Sequence, residues 1–214
     1  MLRNITSNEL ITILLVINLT IIALAKLVAP KRFNDFIFLL GNTKYLKIYS
    51  RDQKFFDNFD ALLFVNLIIS AAIFGLTCLQ FHSINNIFNV NTIFKLTVGI
   101  GVFILIKVLV ERLIGSLFEI DTLMDTYLFQ KISYKNYLGL FILPINAILI
   151  YTFPNSLTFI YVMVILLLII NLIGFLTAFK MHQNTIKNNL FYFILYLCAL
   201  EIAPYIILYK VFIA

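Results

Sequence analysis

The sequence predicts an all-α polytopic membrane helix bundle, with six transmembrane helices and a short interfacial helix in the first cytoplasmic loop. Together they form a single integral membrane domain over residues 1–214. Three observations carry this expectation. Hydrophobic residues make up 62% of the chain, against roughly 45–50% apolar in an average soluble domain. Charged residues make up 12%, about half the usual ~25% and too few to clothe a soluble core of this size. The apolar residues also fall in runs of about 20, the length a helix needs to cross a hydrocarbon core of ~30 Å. Helices are the expected form because lipid leaves backbone groups no outside partner, and the runs lack the alternation of a barrel strand.

The runs are Leu10 to Val28, Ala61 to Phe81, Thr92 to Phe118, Tyr137 to Phe153, Leu157 to Phe179 and Leu190 to Tyr209. Ala23-Leu24-Ala25 in the first resembles a signal-peptidase site. Cleavage there would export the most basic loop of the chain, so an uncleaved anchor fits better. The third run is long and carries charge, the fourth is short and contains Pro144, and the sixth contains Pro204. Between the first two runs, Phe33, Phe36, Ile37 and Leu40 share a helical face after Pro30 and before Gly41-Asn42. They read either as a helix lying in the membrane interface, with Lys31 and Arg32 among anionic lipid headgroups, or as an ordinary basic loop. Asp57, Asn58 or Asp60 would cap the second run.

Basic residues set the orientation. Lys26, Lys31, Arg32, Lys44, Lys47, Arg51, Lys54, Lys131, Lys135, Lys180 and Lys187 lie on one side, and only Arg3, Lys95 and Lys210 on the other. This distribution places the basic loops in the cytoplasm and both termini in the periplasm of a bacterial inner membrane. With tryptophan absent, Tyr134, Tyr137 and Tyr192 are expected at the inner boundary and Tyr151, Tyr161 and Tyr209 nearer the outer one. Nucleic-acid binding is excluded, because the basic residues sit in short loops between apolar runs. A split into inverted halves of three spans is disfavoured by the unequal lengths of the corresponding loops.

Charge inside a span is costly and is the strongest functional pointer in such a chain. Lys107 is expected at mid-membrane, ~15 Å from either interface. Glu111 follows at i+4 on the same helical face, and Arg112, rotated by about 100°, is expected to snorkel toward the inner boundary. Glu201 is placed at the depth of Lys107 in the sixth run. Pro204 frees the carbonyl of Leu200, and Cys198, Glu201 and Tyr205 share a face with that loosened turn. These residues read as a polar clamp between the third and sixth spans or as a proton or ion relay, and the clamp is the simpler because a neutral network needs no substrate.

Other chemistry lacks residues to carry it. His82 and His182 are about a membrane thickness apart and cannot share a metal or haem, so no metal or cofactor is expected. Cys78 and Cys198 have no CxxC spacing and read as packing residues. Ser116 has no histidine placed to activate it, and neither a Walker loop nor a dinucleotide fingerprint is present. Ala71-xxx-Gly75 and Gly99-x-Gly101 suggest close helix packing.

The C-terminal stretch from Phe191 through Leu200-Glu201-Ile202-Ala203-Pro204 to Tyr209-Lys210 resembles a family of multi-pass inner-membrane proteins from Bacteroidota that carries a domain of unknown function. The resemblance extends more loosely through Gly139-Leu140-Phe141-Ile142-Leu143-Pro144 and the charged third run. Its most specific element is the Leu-Glu-x-x-Pro ending. It implies an inner-membrane location, brings no established activity, and singles out Glu201 and Pro204. The functional expectation is a non-enzymatic subunit or assembly partner of an envelope complex, in contact with lipid and other membrane proteins. The alternative is a small transporter or proton-coupled permease using Lys107, Glu111 and Glu201.

Overall fold

A computed structural model describes residues 9–42, 44–50, 57–80, 90–117, 121–152 and 156–181. Every regular element among them is an α-helix: α1 (Glu9–Val28), α2 (Pro30–Ile37), α3 (Lys44–Tyr49), α4 (Asn58–Gln80), α5 (Val90–Leu117), α6 (Asp121–Tyr151) and α7 (Leu157–Met181). Four segments are long and apolar enough to cross a membrane: α1, α4, α5 and residues Leu157–Gly174 of α7. Most of the fourth expected span, residues 137–151, forms the second half of α6, which is not among these four. The sixth, residues 190–209, lies outside the described residues.

Helix α6 differs most from expectation. Residues 121–136 were expected to be a basic cytoplasmic loop, yet they continue the apolar half as one helix of 31 residues. At 1.5 Å per residue it is about 46 Å long, well beyond a membrane core. The physical reason is burial against the rest of the bundle. No Gly or Pro interrupts the chain between Asp121 and Gly139, and Met124, Tyr127, Leu128, Phe129 and Tyr134 are all buried in the charged half. Pro144 lies within the helix without ending it, with its ring side exposed.

Helix α4 is the common wall of the bundle, packed against α1, α5 and α6. It runs parallel to α6, since Asn136 Nδ2 donates to the Asp60 carbonyl at 3.5 Å and Asn146 Nδ2 to the Ser70 carbonyl at 2.9 Å. It runs antiparallel to α5, where a Cβ on Gly101 would meet Ile68 and one on Gly75 would meet Leu96. The tightest crossing is between α4 and α6. A Cβ on Gly139 would lie 2.7 Å from the Leu67 Cα, so only glycine admits this approach. Gly101 makes the close contact its spacing suggested, whereas Gly99 faces open space.

At one end, α2 and α3 fold back over the bundle. Pro30 occupies the first turn of α2, where its missing N–H costs nothing. Phe38 then accepts bonds from Gly41 N and Asn42 N, and Asn42 Oδ1 accepts from Lys44 N to begin α3. The buried stripe is Phe33, Phe36 and Leu39. Ile37 and Leu40, expected on the same face, point outward. Phe36 is fully buried and meets Tyr45, Phe59 and Tyr137 edge-on at centroid distances of 5.4, 5.9 and 5.6 Å, the favoured aromatic geometry. Tyr134 and Tyr137, expected as interfacial anchors, belong instead to this core, and the Tyr137 hydroxyl donates to the Ile37 carbonyl at 3.1 Å. At the far end Tyr151 and Tyr161 are exposed, as expected of anchors.

Two glycine substitutions test this packing. Gly139→Ala should destabilise the protein by about 1–3 kcal/mol through overpacking, whereas Gly99→Ala should be neutral or slightly stabilising, since helical alanine is favoured by about 0.5–1 kcal/mol. Unfolding in mixed detergent micelles, followed by circular dichroism, measures both.

Candidate functional site

The charged end of the bundle is organised around Arg32. Its side chain is 11% exposed, with Nη1 at 2.6 Å from Asp57 Oδ2 and Nη2 at 2.6 Å from Asp60 Oδ2. Nε donates to the Tyr45 hydroxyl at 3.3 Å. The guanidinium also lies over the rings of Phe59 and Tyr49, at 4.9 and 5.1 Å from their centroids. Its planar fork suits two carboxylates and aromatic faces at once, which an ammonium cannot match. The expected contact of Arg32 with lipid headgroups is therefore replaced by an inward contact, because two acids open α4 within its reach. Lys31 remains exposed. Asp57 caps α4 through its carbonyl, which accepts from Ala61 N at 3.0 Å, while its carboxylate serves Arg32.

Burial pushes the Tyr45 hydroxyl pKa well above its ordinary 10.0, and the charge of Asp60 adds to the shift while Arg32 opposes it. The Arg32 pKa is raised, with burial opposing and the Tyr45 and Asp60 charges favouring the cation. The Tyr49 hydroxyl is raised by burial and by Asp35, to which it donates at 3.3 Å.

The second group joins α5 to the charged half of α6. Glu111 is fully buried, and its Oε1 accepts from Lys131 Nζ at 2.6 Å, with Lys131 10% exposed. Glu111 Oε2 has no hydrogen-bond partner among the described residues. Lys107 is also buried, one turn along α5 on the same face. Arg112 Nε lies 3.6 Å from Asp125 Oδ1, with both side chains nearly half exposed. Lys131 and Asp125 belong to the segment read as a loop, which is why the sequence did not offer them as partners.

The Gly101–Ile68 and Gly75–Leu96 contacts fix the α4–α5 register. Carried along the pair, that register sets Lys107 opposite Leu63, about one turn from Asp60. Lys107 is therefore grouped with the charged end of the bundle. Glu201, Cys198, Pro204 and Tyr205 lie outside the described residues, as do His82 and His182. Cys78 is a free, partly buried thiol. Among the described residues no cluster of three or more His, Cys, Asp or Glu could hold a metal ion.

A third polar group was not anticipated. Asn18 of α1, Asn66 and Ser70 of α4 and Asn146 in the apolar half of α6 are completely buried. Asn18 Nδ2 donates to Ser70 Oγ at 3.1 Å, and Asn146 donates to the Ser70 carbonyl. The signal was available: Asn18 and Asn146 stand near the middle of their apolar runs, and Asn66 and Ser70 are spaced i, i+4 in another. Buried amides of this kind join helices in lipid.

Long apolar helices, joined at mid-depth by amides and at one end by buried ion pairs, define an α-helical membrane protein. The chain belongs to the DUF4271 family, a domain of unknown function whose family model matches residues 11–212. No curated protein and no solved structure matches it.

Two outcomes follow from these pairs. Lys131→Met or Glu111→Leu alone should cost about 3–5 kcal/mol by stranding a buried charge, whereas the double substitution should be nearly neutral; a double-mutant cycle by detergent unfolding measures the coupling. Because the Tyr45 pKa is raised in the fold, the unfolded chain loses that proton first. Stability should therefore hold below about pH 10 and fall above it, by at most about 1.4 kcal/mol per pH unit from this residue. Tyr45→Phe should remove that part of the alkaline loss in unfolding curves taken on either side of about pH 10.

Proposed function

We propose that this chain is a non-enzymatic subunit or assembly partner of an envelope complex. It would reside in a bacterial inner membrane, with the charged end cytoplasmic and both termini periplasmic. The observation that carries this reading is how its charges are used. Arg32, Asp57, Asp60, Glu111 and Lys131 hold the chain's own helices together, and large apolar flanks remain exposed on α5 and α7, including Phe94, Leu109, Leu168 and Leu172. Recognition would then take place through apolar helix flanks within the membrane. The exposed Lys26, Lys31, Lys44 and Lys47 at the charged end suit anionic headgroups.

A second reading, a small proton-coupled permease, is favoured by Glu111 Oε2 and by the amide oxygens of Asn18, Asn66 and Asn146, which have no hydrogen-bond partner among the described residues and would serve a polar path through the bundle.

Affinity purification in mild detergent, with mass spectrometry of the eluate, separates the two. The subunit reading expects the same membrane proteins in stoichiometric amounts in every preparation. A chain that comes out alone, yet drives proton-dependent flux in proteoliposomes that Glu111→Gln abolishes, would establish the permease instead. Orientation has its own check. In a background lacking Cys78 and Cys198, a cysteine at Asn86 should react with an impermeant maleimide in intact spheroplasts and one at Lys47 only after lysis. The reverse pattern would overturn the orientation.

A further inference from the structure

We propose that the turn between α2 and α3 enters the anionic phospholipid leaflet of the membrane in which the chain sits. Phe38 and Leu40 form an apolar wedge just below the headgroups, and Lys44 and Lys47 meet the phosphates. This rests on the reading above that the charged end faces a cytoplasmic leaflet, and it holds whether the chain serves a complex or a transport step. The short helices bury Phe33, Phe36, Leu39, Tyr45 and Leu46 against the bundle. The turn keeps other apolar side chains outside: Phe38 is 70% exposed, Ile37 41% and Leu40 37%. Single exposed apolar residues are ordinary, but these three fall within four consecutive positions, and Ile48 of α3 is exposed as well.

The turn lies at the level of a membrane boundary. The Tyr137 hydroxyl donates to the Ile37 carbonyl at 3.1 Å, and Phe36 meets Phe59 at a centroid distance of 5.9 Å. Asn136, beside Tyr137, reaches the Asp60 carbonyl. The turn is thus level with the first residues of α4, where the apolar run from Ala61 begins. Leu27 and Val28, exposed at the end of α1, lead directly into α2. The charged half of α6 continues past this level, and its first residue, Asp121, stands about 22 Å beyond Asn136. The wedge is therefore set beside the boundary and not at the outermost tip of the protein.

Charge selects the leaflet. The stretch from Lys26 to Ser50 carries one acid, Asp35, against the exposed Lys26, Lys31, Lys44 and Lys47. Arg32 adds nothing to this surface, because Asp57 and Asp60 hold it at 2.6 Å. On α3, Lys44, Lys47 and Ile48 share the face that turns away from the buried Tyr45 and Leu46. Apolar side chains flanked by lysines match a boundary where acyl chains give way to phosphates. The lysine stems can follow the apolar layer while their ammonium groups reach the phosphates. A zwitterionic leaflet satisfies the wedge but leaves the lysines without a net counter-charge.

Fluorescence of the full chain in lipid vesicles tests this. In a background lacking Cys78 and Cys198, Phe38→Cys, Leu168→Cys and Asp121→Cys each carry an environment-sensitive fluorophore. In vesicles of phosphatidylcholine mixed with phosphatidylglycerol, the label at position 38 should be quenched by nitroxide lipid and shielded from acrylamide. The label at 168, on the exposed flank of α7, should behave likewise, and the one at 121 in the opposite way. Phosphatidylcholine alone, or Lys44→Gln with Lys47→Gln, should shift the turn toward water by at least about fivefold, roughly the effect of one lysine at an anionic surface. A label at 38 as open to acrylamide as the one at 121, or equally shielded in both kinds of vesicle, would overturn the proposal. A shielded label at 168 beside an open one at 38 takes only the turn out of the membrane. An open label at 168 takes out the whole chain, and the membrane reading falls with the proposal. The comparison of vesicles keeps the native lysines, so a double variant that fails to fold leaves the test intact.

Discussion

A guanidinium withdrawn from water must find its charge and its hydrogen bonds within the protein. Arg32 does so across three elements: its own helix α2, Tyr45 on α3, and Asp57 and Asp60 at the start of α4. The rings of Tyr45, Tyr49 and Phe59 surround it, and Phe36 packs beneath them against Tyr137 of α6. The two short helices are too brief to be stable alone. They hold their shape because one buried cation needs the acids of α4, and because the aromatic layer covers that bond.

Farther along the same helix the joining chemistry changes from charge to amide. Ser70 accepts from Asn18 at its hydroxyl oxygen and from Asn146 at its carbonyl, so α1, α4 and α6 are joined there by neutral groups whose burial costs far less than that of ions. Gly139 brings α6 close enough to α4 for those amides to reach. The bundle thus carries a graded set of polar contacts, with neutral groups in the middle of its apolar length and ionic ones toward one end. A membrane, dry at its centre and wet at its boundary, favours that gradient.

Much of this was legible in the sequence. Helices α1, α4, α5 and α7 begin and end within a few residues of the apolar runs, and Pro30 and Gly41 bracket α2 with its turn. The first half of α6 was not legible, because Asp121, Asp125, Lys131 and Lys135 lower the local hydropathy to that of a loop although most of its residues from Met124 onward are buried. From that single misreading others followed. Lys131 and Asp125 were absent from the candidate partners of Glu111 and Arg112, and Tyr134 and Tyr137 were placed at a boundary rather than in a core. Lys107 and Glu111 share a face as their spacing required. Their place beside the charged end depends on a register that only the glycine contacts between α4 and α5 reveal. The inward turn of Arg32 was hidden for a related reason: a basic residue beside Lys31 looks like a headgroup contact until Asp57 and Asp60 are brought beside it.

The claim on which this account rests is that Arg32 pins α2 and α3 to the bundle. Hydrogen exchange with mass spectrometry, comparing the native chain with Arg32→Met, measures it most directly. The backbone amides of α2 and α3 should be protected in the native chain and exchange nearly freely in the variant, while those around Ser70 in the middle of α4 stay protected in both. Unchanged protection of α2 and α3 in Arg32→Met would contradict the account, and would show that the aromatic layer alone holds that end of the fold.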